Sequence, residues 1–190
     1  MTALGQRFGL AFALAGMLGA GACTPQGSIV TGVDYEANYQ PIGHLGFLSS
    51  GPDVETVVVG ELGADPGGLA DAVAASLNAH RRGPRVHYTT EPENEASPGY
   101  RMVMAVGIGP IRGGALCAAV ENGTEVEGDG TQGLQVAFCY RERRISEAFV
   151  QGPVFDGAAD PGLDHAVAVA INRVFPLTLQ PDNGGNCMFC

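Results

Sequence analysis

Four cysteines in the second half of the chain, Cys117, Cys139, Cys187 and Cys190, are the residues with the clearest chemistry. An even number of cysteines is typical of disulfides in an exported protein. Of the three connectivities we favour Cys117 with Cys139 and Cys187 with Cys190, and the first bond would close a loop of about 22 residues. Free buried thiols are the alternative for Cys117 and Cys139.

The segment Cys187-Met188-Phe189-Cys190 has the C-x-x-C spacing of thioredoxin-like redox sites. Such sites place the pair at the start of a helix, where the helix dipole lowers the pKa of the first thiol, and no helix follows here. Two cysteines supply only two metal ligands, and no second pair has metal-ligand spacing. Envelope thiol-redox chemistry is therefore an alternative function, beside a structural tail disulfide.

No other pattern predicts a catalytic, cofactor-binding or metal-binding residue. The acidic, glycine-rich loop 121–130 lacks the ligand spacing of an EF-hand, so we interpret it as a solvated loop. Hydrolase and zinc-protease motifs are missing, and no G-x-G-x-x-G is completed. Whether the chain is an enzyme stays uncertain, with the balance toward a non-catalytic protein. The histidines are scattered: His44, His80, His87 and His165.

The charge composition excludes several classes of function. Twenty acidic residues oppose ten basic ones, giving a formal net charge of −10, and every basic residue is arginine. This balance disfavours nucleic acid as a partner, because the phosphate backbone would be repelled. The lack of lysine excludes a P-loop and a Schiff-base enzyme.

The first 22 residues have the pattern of a secretory signal peptide. Arg7 supplies the positive charge, residues 8–19 are an apolar run with few interruptions, and Ala20 to Ala22 are small. The apolar run is shorter than the ~20 residues that span hydrocarbon. We therefore predict export with removal of residues 1–22.

The four residues Ala20-Gly21-Ala22-Cys23 resemble the lipobox of bacterial lipoproteins. That resemblance implies cleavage before Cys23 and attachment of acyl chains, palmitate among them, which hold the protein on a lipid bilayer. Ala20 departs from the usual Leu or Val at the first position, and ordinary secretion is the alternative. Thr24 in place of Asp is similar to lipoproteins sorted to the outer membrane, which implies its periplasmic face.

The mature chain divides into three parts. Residues 23–53 show neither a helical nor an alternating pattern, and we predict a flexible tether, although Tyr35, Tyr39, Leu45 and Phe47 could instead dock on the domain. Residues 54–180 form a single domain, and residues 181–190 are a tail that carries C-x-x-C.

Periodicity and punctuation define the elements of the domain. Asp65-Pro66 and Asp160-Pro161 are typical helix starts, each followed by an apolar stripe and a later proline. Between Pro110 and Gly133 we predict no regular element beyond an apolar stub at 115–120. The predicted strands are Glu55 to Leu62, Arg85 to Thr90, Tyr100 to Gly109, Leu134 to Tyr140 and Ile145 to Gln151.

This order predicts an α+β fold: a two-layer sandwich of about five strands, mainly antiparallel, with two helices packed on one face. An anchor, a tether and a small domain without catalytic motifs indicate a non-catalytic binding, scaffold or assembly module of the cell envelope, with an unidentified protein or envelope partner. A small-ligand carrier is the remaining alternative.

Overall fold

A computed structural model describes residues 29–48, 53–60, 66–82, 86–93, 99–111, 114–126, 132–152 and 154–177. The predicted signal peptide, Cys23 and the C-x-x-C pair Cys187 and Cys190 lie outside these ranges. Asp65, predicted to cap the first long helix, also lies outside them.

The described chain contains six strands and four helices. None of these helices has the length and apolar character needed to cross a bilayer. The elements are β1 (Ile29–Tyr35), α1 (Pro41–Leu48), β2 (Asp53–Val59), α2 (Pro66–His80), β3 (His87–Thr89), β4 (Tyr100–Val106), α3 (Ala115–Asn122), β5 (Gly133–Tyr140), β6 (Arg143–Gln151) and α4 (Pro161–Val174).

The strands form one mixed sheet in the order β1-β6-β5-β4-β2-β3. Strand β2 pairs in parallel with β3 and with β4, whereas the other three pairings are antiparallel. Helix α2 is the crossover between β2 and β3, because parallel neighbours cannot be joined by a tight turn. The prediction of an α+β fold is confirmed, with one strand more than expected.

Helices α2 and α4 cover one face of the sheet, as the sequence predicts. Val73 and Leu77 of α2 and Val167 and Ile171 of α4 are fully buried in the main core, together with the side chains of Met102, Met104 and Val106. Asp160 caps α4, since its carboxylate accepts a hydrogen bond of 2.7 Å from the amide of Gly162.

The opposite face of the sheet carries a third layer that the sequence analysis did not predict. Helix α3 packs Leu116 and Cys117 there against Val103 and Ala105, so a purely two-layer sandwich is wrong for this part of the fold. The helix is short and flanked by Gly114 and Gly123, both in the left-handed region. A short apolar run with a glycine at each end is typical of a loop, so the sequence did not predict a helix here. A helix of this length depends on its packing against the sheet for stability.

Residues 29–48, predicted to belong to a flexible tether, are part of the domain. Strand β1 pairs with β6, and Tyr39 and Leu45 are buried in the main core. The hydroxyls of Tyr35 and Tyr39 each donate a 2.6 Å hydrogen bond to the last carbonyls of α4, on Arg173 and Val174. These carbonyls have no partner within the helix, so the docked segment satisfies them. The docking alternative is thus correct for Tyr35, Tyr39 and Leu45, and the side chain of Phe47 lies outside the described part of the structure.

Candidate functional site

A cavity of about 390 Å³ opens on the α3 face of the sheet. Strands β1, β5 and β6 form its floor and one wall, and the segment after β4 forms the other. Helix α3 packs mainly on β4 and β5, which leaves this half of the face to the cavity. The lining residues are Gly32, Val33, Asp34, Pro110, Ile111, Gln135, Glu147 and Phe149.

Two carboxylates face each other across neighbouring strands at this site. The strand register pairs Asp34 of β1 directly with Glu147 of β6. Like charges in such a pair repel, and a guanidinium relieves the repulsion here. Nη1 of Arg144 lies 2.6 Å from Oδ2 of Asp34 and 2.6 Å from Oε1 of Glu147. One arginine therefore serves two acids, and the group keeps a formal charge of −1.

Glu147 is the more unusual of the two acids because it is largely withdrawn from water. Its side chain is 13% exposed, against 55% for Asp34. Burial raises the pKa of the Glu147 carboxyl above its ordinary value of 4.5, and the neighbouring charge of Asp34 adds to this, while the hydrogen bond and charge of Arg144 lower it. Burial in the cavity wall therefore disfavours the ionised form of the Glu147 carboxyl.

Gln135 fixes the opposite wall. This buried side chain donates to the carbonyl oxygen of Ile111 at 2.8 Å and accepts from the amide of Ile111 at 2.7 Å. The same Nε2 lies 3.2 Å from Oε2 of Glu147. A single amide side chain therefore joins the segment after β4 to the acidic pair, and this defines the width of the cavity.

The rest of the lining is apolar. The register places Phe149 opposite Gln135, and its ring is 7% exposed. Pro110 and Ile111 complete the wall that Gln135 holds. Apolar walls with a few fixed polar groups are the usual composition of a binding pocket. Among the described lining residues the polar side chains are two carboxylates and one amide, a composition that suits recognition of a ligand.

Replacing Arg144 by glutamine tests the charge arrangement. We expect Arg144→Gln to lower the free energy of unfolding at pH 7 by about 2 kcal/mol, less than for a fully buried pair because both partners keep some exposure. Folding raises the pKa of Glu147, so ionisation of this acid destabilises the folded protein. The protein therefore loses stability as the pH rises from the unfolded-state pKa to the folded-state pKa. The variant raises that pKa further, so its deficit should grow from pH 4 upward.

Urea unfolding across this pH range measures the effect. Arg143→Gln is the matched control, since it removes the same charge from a neighbouring side chain that is 62% exposed. Equal losses in the two variants, or a deficit of Arg144→Gln that is independent of pH, would contradict the arrangement.

Of the predicted disulfide cysteines, the structure joins Cys117 and Cys139. The bond links α3 to β5 with a sequence separation of 22, and both residues are fully buried. Thiol–disulfide exchange needs access of an attacking thiolate, so this bond is structural. Cys187, Cys190 and the predicted lipidation site Cys23 lie beyond the described ranges, so the redox and lipidation hypotheses stay predictions.

Ser76, His80 and Asp164 come together where α2 packs on α4. Oδ1 of Asp164 accepts a 2.6 Å hydrogen bond from the hydroxyl of Ser76, and Nε2 of His80 lies 3.1 Å from the same carboxylate. In a catalytic triad the histidine stands between serine and acid, whereas here the acid stands in the middle. The cluster therefore clamps two helices and does not activate the serine.

Asp164 makes the clamp dependent on pH. Hydrogen bonds from Ser76 and His80 lower the pKa of Asp164 below its ordinary 3.8. A carboxyl whose pKa is lowered by folding stabilises the protein at pH values above its unfolded-state pKa. This stabilisation is lost as the pH falls through the folded-state pKa. We expect Asp164→Asn to be destabilised at neutral pH and to approach the wild type as the pH falls below 3.8, as urea midpoints would measure. Asp71→Asn, an exposed acid on α2, is the control and should show no such convergence.

The remaining histidines lie apart from one another. His87 is 61% exposed and places Nδ1 2.8 Å from Oδ1 of Asp53, while Nδ1 of His44 lies 2.9 Å from the carbonyl oxygen of Gln40. His165 is exposed on α4. Within the ranges given above, no three His, Cys, Asp or Glu side chains are grouped to hold a metal ion. The acidic loop is described only to Val126, with Glu121 paired to Arg101 at 3.0 Å.

The sequence analysis missed Asp34, Gln135 and Glu147. The detectable signal was a polar residue inside each of two apolar strands, since Gln135 stands between Leu134 and Val136, and Glu147 stands between Ser146 and Ala148. Alternation places each on the face away from the helices, but it does not show that the two strands are neighbours. Asp34 lay in the segment interpreted as a tether.

Comparisons with protein-family models, with curated proteins and with solved structures found no match to this chain.

Proposed function

We propose that the chain is a non-catalytic binding module of the bacterial cell envelope, tethered by acyl chains on Cys23 to the periplasmic face of the outer membrane. The single observation that carries the binding role is the cavity between β1, β5 and β6. It combines the ring of Phe149 with a withdrawn carboxylate on Glu147 and a clamped wall at Ile111.

The polar groups at the cavity support recognition over catalysis. Gln135 is occupied by the backbone of Ile111, and Glu147 is held by Arg144. Groups fixed in this way are already oriented, which lowers the entropic cost of binding a ligand. A general base would instead need to be free to take a substrate proton, whereas the carboxylate of Glu147 already accepts hydrogen bonds from Arg144 and Gln135.

The proposal of a lipid anchor is supported by the sequence, which has an apolar leader followed by Cys23 in a lipobox-like segment. Only residues 24–28 separate Cys23 from β1, and a fully extended chain of that length spans at most about 20 Å. Because β1 carries Gly32 to Asp34 of the cavity wall, the proposed binding site lies close to the membrane surface. This geometry suits a partner that is itself at the envelope.

A small-ligand carrier is the second candidate, and the cavity volume favours it. About 390 Å³ lies at the lower end of the range for small-molecule sites, which begins near 300 Å³. A ligand of that size would enter from the open side, beside the exposed Val33.

Two measurements on the full chain in a Gram-negative host test the proposal. Metabolic labelling with an alkyne palmitate should mark the wild type and not Cys23→Ser. A photo-crosslinking amino acid in place of Ile111 should give a discrete adduct in intact envelopes, because Ile111 lines the cavity and is only half-buried.

Ile42 is the matched control for the crosslink, since it is an exposed isoleucine, at 67%, that does not line the cavity. The same photo-reactive residue there should give no such adduct. Label that persists in Cys23→Ser would remove the anchor from the proposal. Identical adducts at both isoleucines, or none at Ile111, would remove the cavity as the binding site.

A further inference from the structure

We infer that the group recognised by this cavity is a primary alkylammonium ion carried on a short apolar stem. This inference rests on the proposed binding role and names the chemistry of its ligand. The shared chemistry has two sources, a free aliphatic amine or the side chain of a lysine in a peptide.

The sign of the charge in the cavity comes first. Asp34 and Glu147 both line it, whereas Arg144, which pairs with both, is not among the lining residues. Among the described lining residues a ligand therefore meets two carboxylates, and these two acids with Arg144 carry a net charge of −1. An anionic ligand would meet repulsion, and a neutral one would leave the excess charge uncompensated. A cation restores the balance.

The open acceptor positions suit a compact cation. Within the described part of the chain, Asp34 uses only Oδ2, for Arg144. The oxygens of Glu147 are each engaged once, Oε1 with Arg144 and Oε2 with Gln135, and a carboxylate oxygen can accept a second hydrogen bond. An ammonium ion can therefore donate one hydrogen bond to each acid.

The apolar lining accounts for the stem. Phe149, Ile111 and Pro110 lie in the wall beside the acidic pair. An alkyl chain that leaves the ammonium would bury methylene groups against these side chains, each contributing about as much as any buried methylene. An inorganic cation would leave the apolar lining in contact with water, so the cavity better fits a cation that carries a hydrocarbon chain.

The chain cannot supply this group from its own side chains. It contains no lysine, and all ten of its basic residues are arginine. Its net charge of −10 also raises the local concentration of cations around it. An alkylammonium ion must therefore come from another molecule, which is the expected situation for a binding site.

Titration of the full-length protein with hexylammonium chloride, followed by amide chemical shifts, tests the inference. Hexanoate and hexanol are the matched ligands, with the same stem and the opposite or no charge. We expect hexylammonium alone to shift the signals of Asp34, Glu147 and Phe149. Glu147→Gln should weaken binding about tenfold. Asp34→Asn, at an exposed position that tolerates substitution, should weaken it about threefold.

Glu125→Gln is the matched control, because it removes the same charge from an exposed acid outside the cavity, and its affinity should equal that of the wild type. Nα-acetyl-lysine methylamide identifies the source: binding tighter than hexylammonium supports a lysine side chain, and weaker binding supports a free amine. Equal binding of hexanoate, or an Asp34→Asn affinity equal to that of the control, would overturn the inference. So would an absence of shifts with hexylammonium. If one of these results were found but the crosslink at Ile111 persisted, the binding role would stand and only the ligand class would be wrong.

Discussion

Replacing Phe138 by alanine is expected to lower the free energy of unfolding by about 3 to 5 kcal/mol, the largest effect of any single substitution considered for this chain. Phe138 is fully buried in the middle of β5. Its ring lies 5.6 Å from that of Tyr100 on β4 and 5.1 Å from that of Phe175 after α4, and the ring of His44 on α1 meets it edge-on. Truncation would leave a cavity where three elements meet.

Guanidinium unfolding of the purified variant measures this loss. Phe138→Leu is the matched control, since it keeps most of the apolar volume, and it should cost less than half as much as alanine. Similar losses for the two variants would show that the aromatic contacts, and not the cavity, decide the effect. A loss below about 1 kcal/mol for alanine would contradict the described core.

Removal of the Cys117–Cys139 disulfide is expected to cost about 3 kcal/mol. The bond closes a loop with a sequence separation of 22, so its loss gives the unfolded chain more conformational entropy. It is also the covalent link between α3 and β5, so α3 should lose hydrogen-exchange protection first. The double variant Cys117→Ala/Cys139→Ala tests this by thermal and chemical unfolding.

Two controls accompany the disulfide prediction. Cys187→Ser/Cys190→Ser removes the other pair of cysteines and should cost less, because a bond between residues three apart would close a much shorter loop. Wild type that is reduced in denaturant and refolded with reductant should match the alanine variant. If neither the Cys117→Ala/Cys139→Ala substitutions nor reduction of the wild type lowers the midpoint of unfolding, Cys117 and Cys139 do not stabilise the fold as a bonded pair.

Local chemistry alone identified several elements correctly. Pro66 begins α2 and Pro161 begins α4, and Asp160 provides the cap that its residue type predicts. The alternating runs in β4, β5 and β6 were correct to within a few residues. Each of these signals depends on residues close in sequence, such as a cap, a proline or a repeat of two. These local patterns can therefore be recognised without knowledge of the rest of the fold.

Strand β1 and helix α1 had no such signal. Helix α1 contains Gly43 and Gly46, which disfavour a helix, and β1 contains Gly32 in place of an apolar residue. Their support is non-local: pairing with β6, and hydrogen bonds from Tyr35 and Tyr39 to the end of α4. Tertiary contacts overrode weak local preference, so the prediction of a tether failed over these residues.

The sequence by itself determined the two long helices and most of the strands, because caps and periodicity act over short distances. It favoured the pairing of Cys117 with Cys139 but left free thiols open, and the structure shows the bond. The predicted export signal and lipidation at Cys23 also rest on local residues alone. Only the tertiary structure decided the strand order, and with it the juxtaposition of Asp34, Gln135 and Glu147. Which strands become neighbours depends on the burial of a shared core, and no local pattern of residues encodes it.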